Sequence, residues 1–118
     1  MERRDKLEQS KGSLSNTTSV NGIVAEPCLA VYAASKGAIA MLSKGIALDC
    51  VKKGVRCNAI APGWVDTPVN YAHAEMLGGL QHVYEPVEIA NCALFLASDE
   101  SSFVTGTVLV ADGAMTAQ

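Results

Sequence analysis

Tyr32 and Lys36 have the spacing of greatest chemical interest in this sequence. Side chains four residues apart on a helix lie on one face, so the phenol and the ammonium can share a site. A tyrosine hydroxyl ordinarily has a pKa near ~10 and acts as a general acid/base only where its anion is stabilised. An ammonium one turn along supplies that stabilisation and can also donate to a ligand hydroxyl. The spacing alone is common, and an exposed lysine beside a half-buried tyrosine is the alternative interpretation.

The surroundings of this pair favour a ligand site. Small residues fill the segment 31–40, VYAASKGAIA, so that a backbone or a flat ligand can approach the helix closely. Ser19 lies thirteen residues before Tyr32, at the end of a candidate strand. In open α/β sheets, ligands bind at the carboxyl ends of the strands, where Ser19 and the Pro62-Gly63 loop are both expected. Trp64 in that loop either stacks on a ligand or covers the sheet edge.

Alternating strands and helices are expected to position these residues. Residues 12–19 form the candidate first strand, and 20–29, with Asn-Gly and a proline, form a connection. A proline-free helix is predicted over 31–53, ending at Gly54. Its expected apolar stripe recurs at helical spacing at Ile39, Leu42, Ile46 and Cys50.

The second half of the chain repeats this alternation. Residues 55–61, VRCNAIA, have the composition of a buried parallel strand. Pro86 suits the first position of a second helix, and residues 107–111 form a short final strand. One face of this second helix is expected to carry Ile89, Cys92, Ala93 and Leu96. The order predicts an α/β fold with parallel strands.

Length and composition set the class of protein. At 118 residues, with 49% hydrophobic and 5% aromatic residues, the chain forms one domain with an aliphatic core. Its net charge of -3 argues against nucleic-acid binding, and no apolar run reaches the ~20 residues of a membrane span. Four cysteines without a Cys-x-x-Cys pair favour a reduced, cytoplasmic protein. We expect a charged N-terminal arm at 1–12 and the domain at 13–118.

A metal site is not expected. His73 and His82 are nine residues apart, and only Glu75 is close to either of them in sequence. This spacing lacks the ligand pairs that are typical of zinc sites.

Taken together, five ordered motifs resemble the C-terminal half of the short-chain dehydrogenase/reductase family. They are Ser19, Tyr32-Ala33-Ala34-Ser35-Lys36, Asn58-Ala59-Ile60-Ala61-Pro62-Gly63, the DESSFVTG segment at 99–106, and Asp112-Gly113. The resemblance covers roughly residues 13–115. It implies a partial Rossmann-type, doubly wound parallel sheet and NAD(P)-dependent hydride transfer between the cofactor and a small alcohol or ketone.

The resemblance also implies roles for particular residues. Tyr32 is expected to be the acid/base, Lys36 to bind the nicotinamide ribose and stabilise the tyrosinate, and Ser19 to hold the substrate oxygen. The segment from Pro62 and Gly63 onward is expected to meet the nicotinamide carboxamide. In that segment the backbone of Val65 and the hydroxyl of Thr67 are implied as contacts.

The sequence departs from the family pattern in one major respect. It contains no G-x-G-x-x-G and no Gly-x-x-x-Gly-x-Gly, so the glycine-rich turn that cradles a pyrophosphate is absent from it. We therefore expect a truncated form with weak or no binding of NAD or NADP. The alternative function is a non-catalytic dimerisation or binding module. Such a module would form a homo-oligomer or pair with a full-length relative.

Overall fold

In the part of the chain that the structure describes, three parallel strands form one sheet. The computed structural model describes residues 11–64 and 85–117. The strands β1 (Gly12–Thr17), β2 (Val55–Pro62) and β3 (Val108–Ala111) lie in the order β1-β2-β3. Helix α1 (Ala30–Cys50) connects β1 to β2, and helix α2 (Pro86–Ala97) precedes β3. This architecture confirms the predicted α/β fold with parallel strands.

The central strand β2 is the most buried strand of the sheet. All five residues from Cys57 to Ala61 are buried, because β2 has a strand on each side and a helix packed against it. Its register pairs Thr17 with Ile60 on one side and Ile60 with Leu109 on the other. The predicted buried strand over 55–61 is confirmed. Its polar Asn58 can be buried because its side-chain amide donates to the Val104 carbonyl and accepts from the Thr107 N–H.

The two helices pack on opposite faces of the sheet. In β1, the side-chain amide of Asn16 donates to Ser43 Oγ on α1 at 3.0 Å, and Ser13 Oγ donates to the Leu96 carbonyl on α2 at 2.8 Å. Residues an odd number apart in a strand point to opposite faces. Asn16 and Ser13 therefore contact helices on different sides, which is the doubly wound arrangement.

The buried face of α1 differs from the predicted stripe. Its buried residues are Ala40, Ser43 and Ala47, whereas Leu42 is 59% exposed. Small side chains at these positions let the helix approach the sheet closely, and the polar Ser43 is accommodated because its hydroxyl donates to the Ile39 carbonyl. The prediction of Leu42 in the apolar stripe that faces the core was wrong, because helical spacing alone does not show which face of a helix meets the sheet.

Local sequence determines where α1 ends and where α2 begins. After α1, a 3-10 turn (Val51–Lys53) completes the predicted helical span, and Gly54 closes it with a φ of 71°. That left-handed conformation favours glycine. Helix α2 begins with Pro86, and the backbone N–H of Glu85 donates to the Glu88 carboxylate at 2.9 Å.

Within the described ranges, neither helix is long and apolar enough to cross a membrane. The four cysteines, Cys28, Cys50, Cys57 and Cys92, are all free thiols.

Candidate active site

Ser19 occupies a fixed position just beyond the carboxyl end of β1. The backbone N–H of Thr18 donates to the Ile60 carbonyl at 2.8 Å, which extends the pairing with β2 by one residue. The chain then enters a 3-10 turn (Val20–Gly22), for which Ser19 is the N-cap in an extended conformation. Ser19 Oγ accepts from the backbone N–H of Asn21 at 3.1 Å. The turn therefore holds a buried serine hydroxyl at the sheet edge where ligands bind.

Tyr32 and Lys36 lie on the first turns of α1. The Lys36 ammonium Nζ is 5.6 Å from the centroid of the Tyr32 ring, within the range of a cation–π contact. Tyr32 is 44% exposed, and Lys36 is half-buried. The structure thus places the phenol and the ammonium side by side, as the spacing of four residues predicts.

The carboxyl end of β2 brings Pro62 and Gly63 to the same edge. The Gly63 N–H donates to the Ala111 carbonyl at 3.0 Å, so this end is held against β3. A Cβ added at Gly63 would lie 2.9 Å from the Cα of Asp112. Glycine is therefore needed at position 63 for the close approach of two backbones.

These three segments enclose one cavity of about 420 Å³. This volume is in the range of small-molecule sites, roughly 300–1,000 Å³. Its walls come from the end of β1, the 3-10 turn, the start of α1 and the end of β2, namely Thr17, Thr18, Ser19, Val20, Asn21, Leu29, Tyr32, Lys36, Pro62, Gly63 and Trp64. Ser19, Tyr32, Lys36, Pro62 and Gly63 were all expected from sequence, and the structure brings them together. The predicted contacts Val65 and Thr67 lie outside the described residues.

The segment that follows β1 contacts α1 at Thr18 and Gly22, and these contacts were not predicted from the sequence. Thr18 Oγ1 donates to the Lys36 carbonyl at 2.5 Å. A Cβ on Gly22 would lie 2.8 Å from Thr18 Oγ1 and 2.9 Å from the Lys36 carbonyl carbon. Gly22 thus lets the turn pack directly on the helical turn that carries Lys36. The sequence signal is the glycine of the Asn-Gly pair, which by itself indicates only a connection.

Asn21 is the second residue that sequence reasoning missed. It is 8% exposed and lines the cavity. Ser19 Oγ donates to its Oδ1 at 3.4 Å, and its Nδ2 has no hydrogen-bond partner among the residues that the structure describes. A buried amide N–H without an acceptor is costly in a folded protein.

Two groups near the sheet have shifted pKa values. Burial raises the pKa of the Cys57 thiol, against a smaller lowering by its hydrogen bond with Ser43, so the thiol stays protonated and packs as an apolar group. For Asp112, burial acts to raise the pKa, but hydrogen bonds from Thr116 and from the Ala114 backbone outweigh it and lower the pKa overall. Asp112 is therefore a carboxylate that fixes the chain after β3.

The donor set of the cavity fits an organic ligand with oxygens. It offers a phenol, an ammonium, a serine hydroxyl and an amide beside apolar walls. In the part of the chain that the structure describes, no cluster of three His, Cys, Asp or Glu residues could hold a metal ion. His73, Glu75 and His82 lie outside that part.

Comparison with known proteins identifies the family. The family model described as enoyl-(acyl carrier protein) reductase matches residues 1–116. The chain belongs to the short-chain dehydrogenase/reductase family. As in other members of this family, its strands and helices form part of a Rossmann-type fold.

Individual relatives of this short-chain dehydrogenase/reductase are similar over nearly the whole chain. The 3beta-hydroxysteroid dehydrogenase 1 of Eggerthella lenta is 43% identical over 114 residues, which are 89% of this chain and 44% of that protein. The NADP-dependent (R)-specific alcohol dehydrogenase of Lentilactobacillus kefiri is 42% identical over 116 residues, 90% of this chain and 46% of that protein. The chain thus spans less than half the length of these curated relatives.

A solved structure shows the same relationship in three dimensions. The gluconate 5-dehydrogenase of Burkholderia cenocepacia, crystallised with NADP and tartrate, is 34% identical with a TM-score of 0.84. The match covers 98% of this chain and 49% of that one.

Proposed function

We propose that this chain carries the proton-transfer side of an NAD(P)-dependent oxidoreductase that interconverts a small alcohol and a ketone. One observation carries the proposal: Ser19, Tyr32 and Lys36, which come from two separate elements, line a single cavity at the carboxyl edge of the sheet. The solved relative that holds NADP and tartrate, and another described as 4-hydroxyisoleucine dehydrogenase complexed with NADH, support the assignment.

Tyr32 is the proposed acid/base. When a ketone is reduced, the Tyr32 hydroxyl donates a proton to the carbonyl oxygen of the substrate. In the reverse direction, the tyrosinate takes the proton of the alcohol. The partly exposed phenol, 44% accessible, can reach a ligand in the cavity. Its neighbour Lys36 holds a positive charge 5.6 Å from the ring centroid, within the range of a cation–π contact.

Ser19 is proposed to hold the substrate oxygen. Its hydroxyl is fixed by the 3-10 turn, so it donates from a defined direction and loses little freedom when substrate binds. The two residues then have different roles. Ser19 positions the substrate oxygen, on which charge develops, and Tyr32 donates a proton to that oxygen or accepts one from it.

The residues present fit the nicotinamide end of NAD or NADP. When bound, the cofactor donates or accepts the hydride. Lys36 is the proposed donor to the nicotinamide ribose hydroxyls, beside the Tyr32 hydroxyl. Pro62 and Gly63 border the same cavity, and Val65 and Thr67 follow them in sequence as proposed contacts of the carboxamide.

An assay of hydride transfer tests this function. The chain is incubated with NADH or NADPH and a panel of small ketones, and nicotinamide absorbance is followed. We expect Ser19→Ala to lower kcat/KM by about 10²-fold wherever activity is found, because one donor to the developing oxyanion is lost. The exposed Ser102 supplies the matched control Ser102→Ala, which should leave the rate unchanged. Measurable activity that is equal in the Ser19→Ala variant and the parent would contradict the proposal.

A second candidate function is a binding module that pairs with another chain. The side of α1 opposite the buried Ala40, Ser43 and Ala47 exposes large apolar residues, namely Val31, Met41, Leu42 and Leu48, of which Val31 is 86% and Leu48 78% exposed. Exposed apolar patches favour association, and we propose a homo-oligomer or a pair with a full-length relative.

Sedimentation velocity distinguishes this candidate. Leu48→Glu should convert an oligomer into a monomer, whereas Lys44→Glu, on the same helix and also exposed, should have a smaller effect. A parent chain that sediments as a monomer at high micromolar concentration would contradict it.

The four free thiols support a reducing compartment, and we propose that the protein is located in the cytoplasm.

A further inference from the structure

The Ser19 hydroxyl forms both of its hydrogen bonds given by the structure with Asn21. Ser19 Oγ has one hydrogen and two lone pairs. One lone pair accepts the Asn21 backbone N–H at 3.1 Å, and the hydrogen lies toward Asn21 Oδ1 at 3.4 Å. In this arrangement a substrate oxygen must compete with Asn21 for the only hydrogen that Ser19 can donate.

The two ends of the Asn21 carboxamide differ in their hydrogen bonding. Its Nδ2 is buried and has no partner among the described residues, while its Oδ1 takes the serine hydrogen. Rotating the carboxamide by half a turn exchanges two ends of nearly equal size. Nδ2 then faces the free lone pair of Ser19 Oγ, and Oδ1 takes the buried position. Orphaned N–H donors are rarer in folded proteins than under-satisfied C=O acceptors, so the exchange is favourable.

We propose that Asn21 is a positioning residue that directs the Ser19 hydrogen to the substrate. In the working orientation, the Asn21 backbone N–H and Nδ2 both donate to Ser19 Oγ. Both lone pairs are then occupied, and the hydrogen points into the cavity. The inference rests on the proposed function, because that function supplies the substrate oxygen that the Ser19 hydrogen would meet. The hydrogen bonds between Asn21 and Ser19 involve only residues of this chain.

A spectroscopic test uses the chain without substrate or cofactor. In ¹⁵N–¹H spectra, the Asn21 side-chain NH₂ pair should shift and exchange faster with solvent in Ser19→Ala, because its acceptor is removed. The control Ser102→Ala should leave that pair unchanged. An Asn21 NH₂ pair that is unaffected by Ser19→Ala would overturn the proposal. Because this readout needs no activity, its failure is separate from a failure of the proposed function.

A kinetic test uses Asn21→Asp in active protein. A carboxylate only accepts, so it should retain the serine hydrogen and lower kcat/KM by about as much as Ser19→Ala, roughly 10²-fold. Protonation of the new carboxyl restores a donor, so the loss relative to the parent should shrink as pH falls. Among the described residues, the ionisable groups lining the same cavity are Tyr32 and Lys36, both on α1, and the parent measured at each pH accounts for them.

The double variant separates positioning from a general structural effect. Adding Asn21→Asp to Ser19→Ala should cause no further loss, because the residue acts only through the serine hydroxyl. Additive losses, or a deficit of Asn21→Asp that does not change with pH, would overturn the proposal.

Discussion

Thr18 Oγ1 donates a hydrogen bond of 2.5 Å to the backbone carbonyl of Lys36. This contact joins the end of β1 to the helical turn that carries the lysine, across eighteen residues of sequence. Because Thr18 is 2% exposed, the bond is shielded from water. The strand edge that presents Ser19 and the helix that presents Lys36 are therefore positioned as one unit.

Removing this hydrogen bond should loosen that unit. Thr18→Val keeps the side-chain shape and removes the donor, so we expect a loss of about 1 kcal/mol in the free energy of unfolding. Thr18→Ser should restore most of it. Denaturant unfolding measures the effect, with Thr17→Val at the neighbouring exposed position as the control. Equal losses at positions 17 and 18 would contradict a specific role for the Thr18 bond.

Two glycines offer a matched pair for testing the close packing of turn and helix. A Cβ at Gly22 would meet the Lys36 backbone at 2.9 Å, which neither element can yield easily, so Gly22→Ala should destabilise by roughly 1–3 kcal/mol. Gly45, within α1, has no atom of another described residue within 4 Å of an added Cβ. Gly45→Ala should therefore stabilise by about 0.5–1 kcal/mol through helix propensity.

Thermal or denaturant unfolding compares these two variants directly. Opposite signs are the expected result. A neutral or stabilising Gly22→Ala would show that the turn does not pack on α1 as described.

Asp112 should make stability depend on acid pH. Burial acts to raise its pKa, but the hydrogen bonds from Thr116 and Ala114 lower it below the value in the unfolded chain. A group whose pKa is lower in the folded state stabilises above its unfolded pKa, near ~3.9, and loses that contribution as pH falls through the folded pKa. Asp112→Asn should therefore reduce stability at neutral pH and flatten the acid limb.

The unfolding free energy of parent and variant, measured from pH 7 to pH 2, checks this dependence. Asp99→Asn is the control, because Asp99 is an exposed partner of Lys11 at 3.4 Å. A parent and an Asp112→Asn variant with parallel pH profiles would contradict the assignment.

The sequence predicted the parts of the fold that have strong local signals. Pro86 at the start of α2, Gly54 after α1 and the buried strand predicted over 55–61 all lie where expected. The buried face of α1 was predicted incorrectly at Leu42, because close packing on the sheet selects small residues, and helical periodicity does not reveal which neighbour a face meets.

Only the residues of the candidate site that belong to sequence motifs could be predicted. Ser19, Tyr32 and Lys36 carry recognisable side chains at recognisable spacing, so their meeting in one cavity could be expected. Asn21 and Thr18 gave no such signal, since their importance depends on which atoms they contact across the fold. An unpartnered Nδ2 and a bond to a helix carbonyl are tertiary properties.

Cofactor affinity provides a further test of the account. A dinucleotide gains much of its binding free energy at a glycine-rich turn and a helix N-terminus around the pyrophosphate, and these 118 residues contain no such glycine-rich motif. The chain by itself should therefore show no measurable binding of NAD(H) or NADP(H) at micromolar concentration. Titration calorimetry decides this. A dissociation constant in the low micromolar range would show that these residues or a second copy provide the missing contacts.

The proposed function depends on proton transfer by the Tyr32 hydroxyl. Tyr32→Phe in catalytically active protein tests it most directly, because only the oxygen is removed and the ring beside Lys36 remains. Steady-state turnover and cofactor affinity should be measured together on parent and variant. We predict a fall in kcat of about 10²–10⁴-fold with cofactor affinity nearly unchanged. Turnover close to that of the parent would contradict the claim.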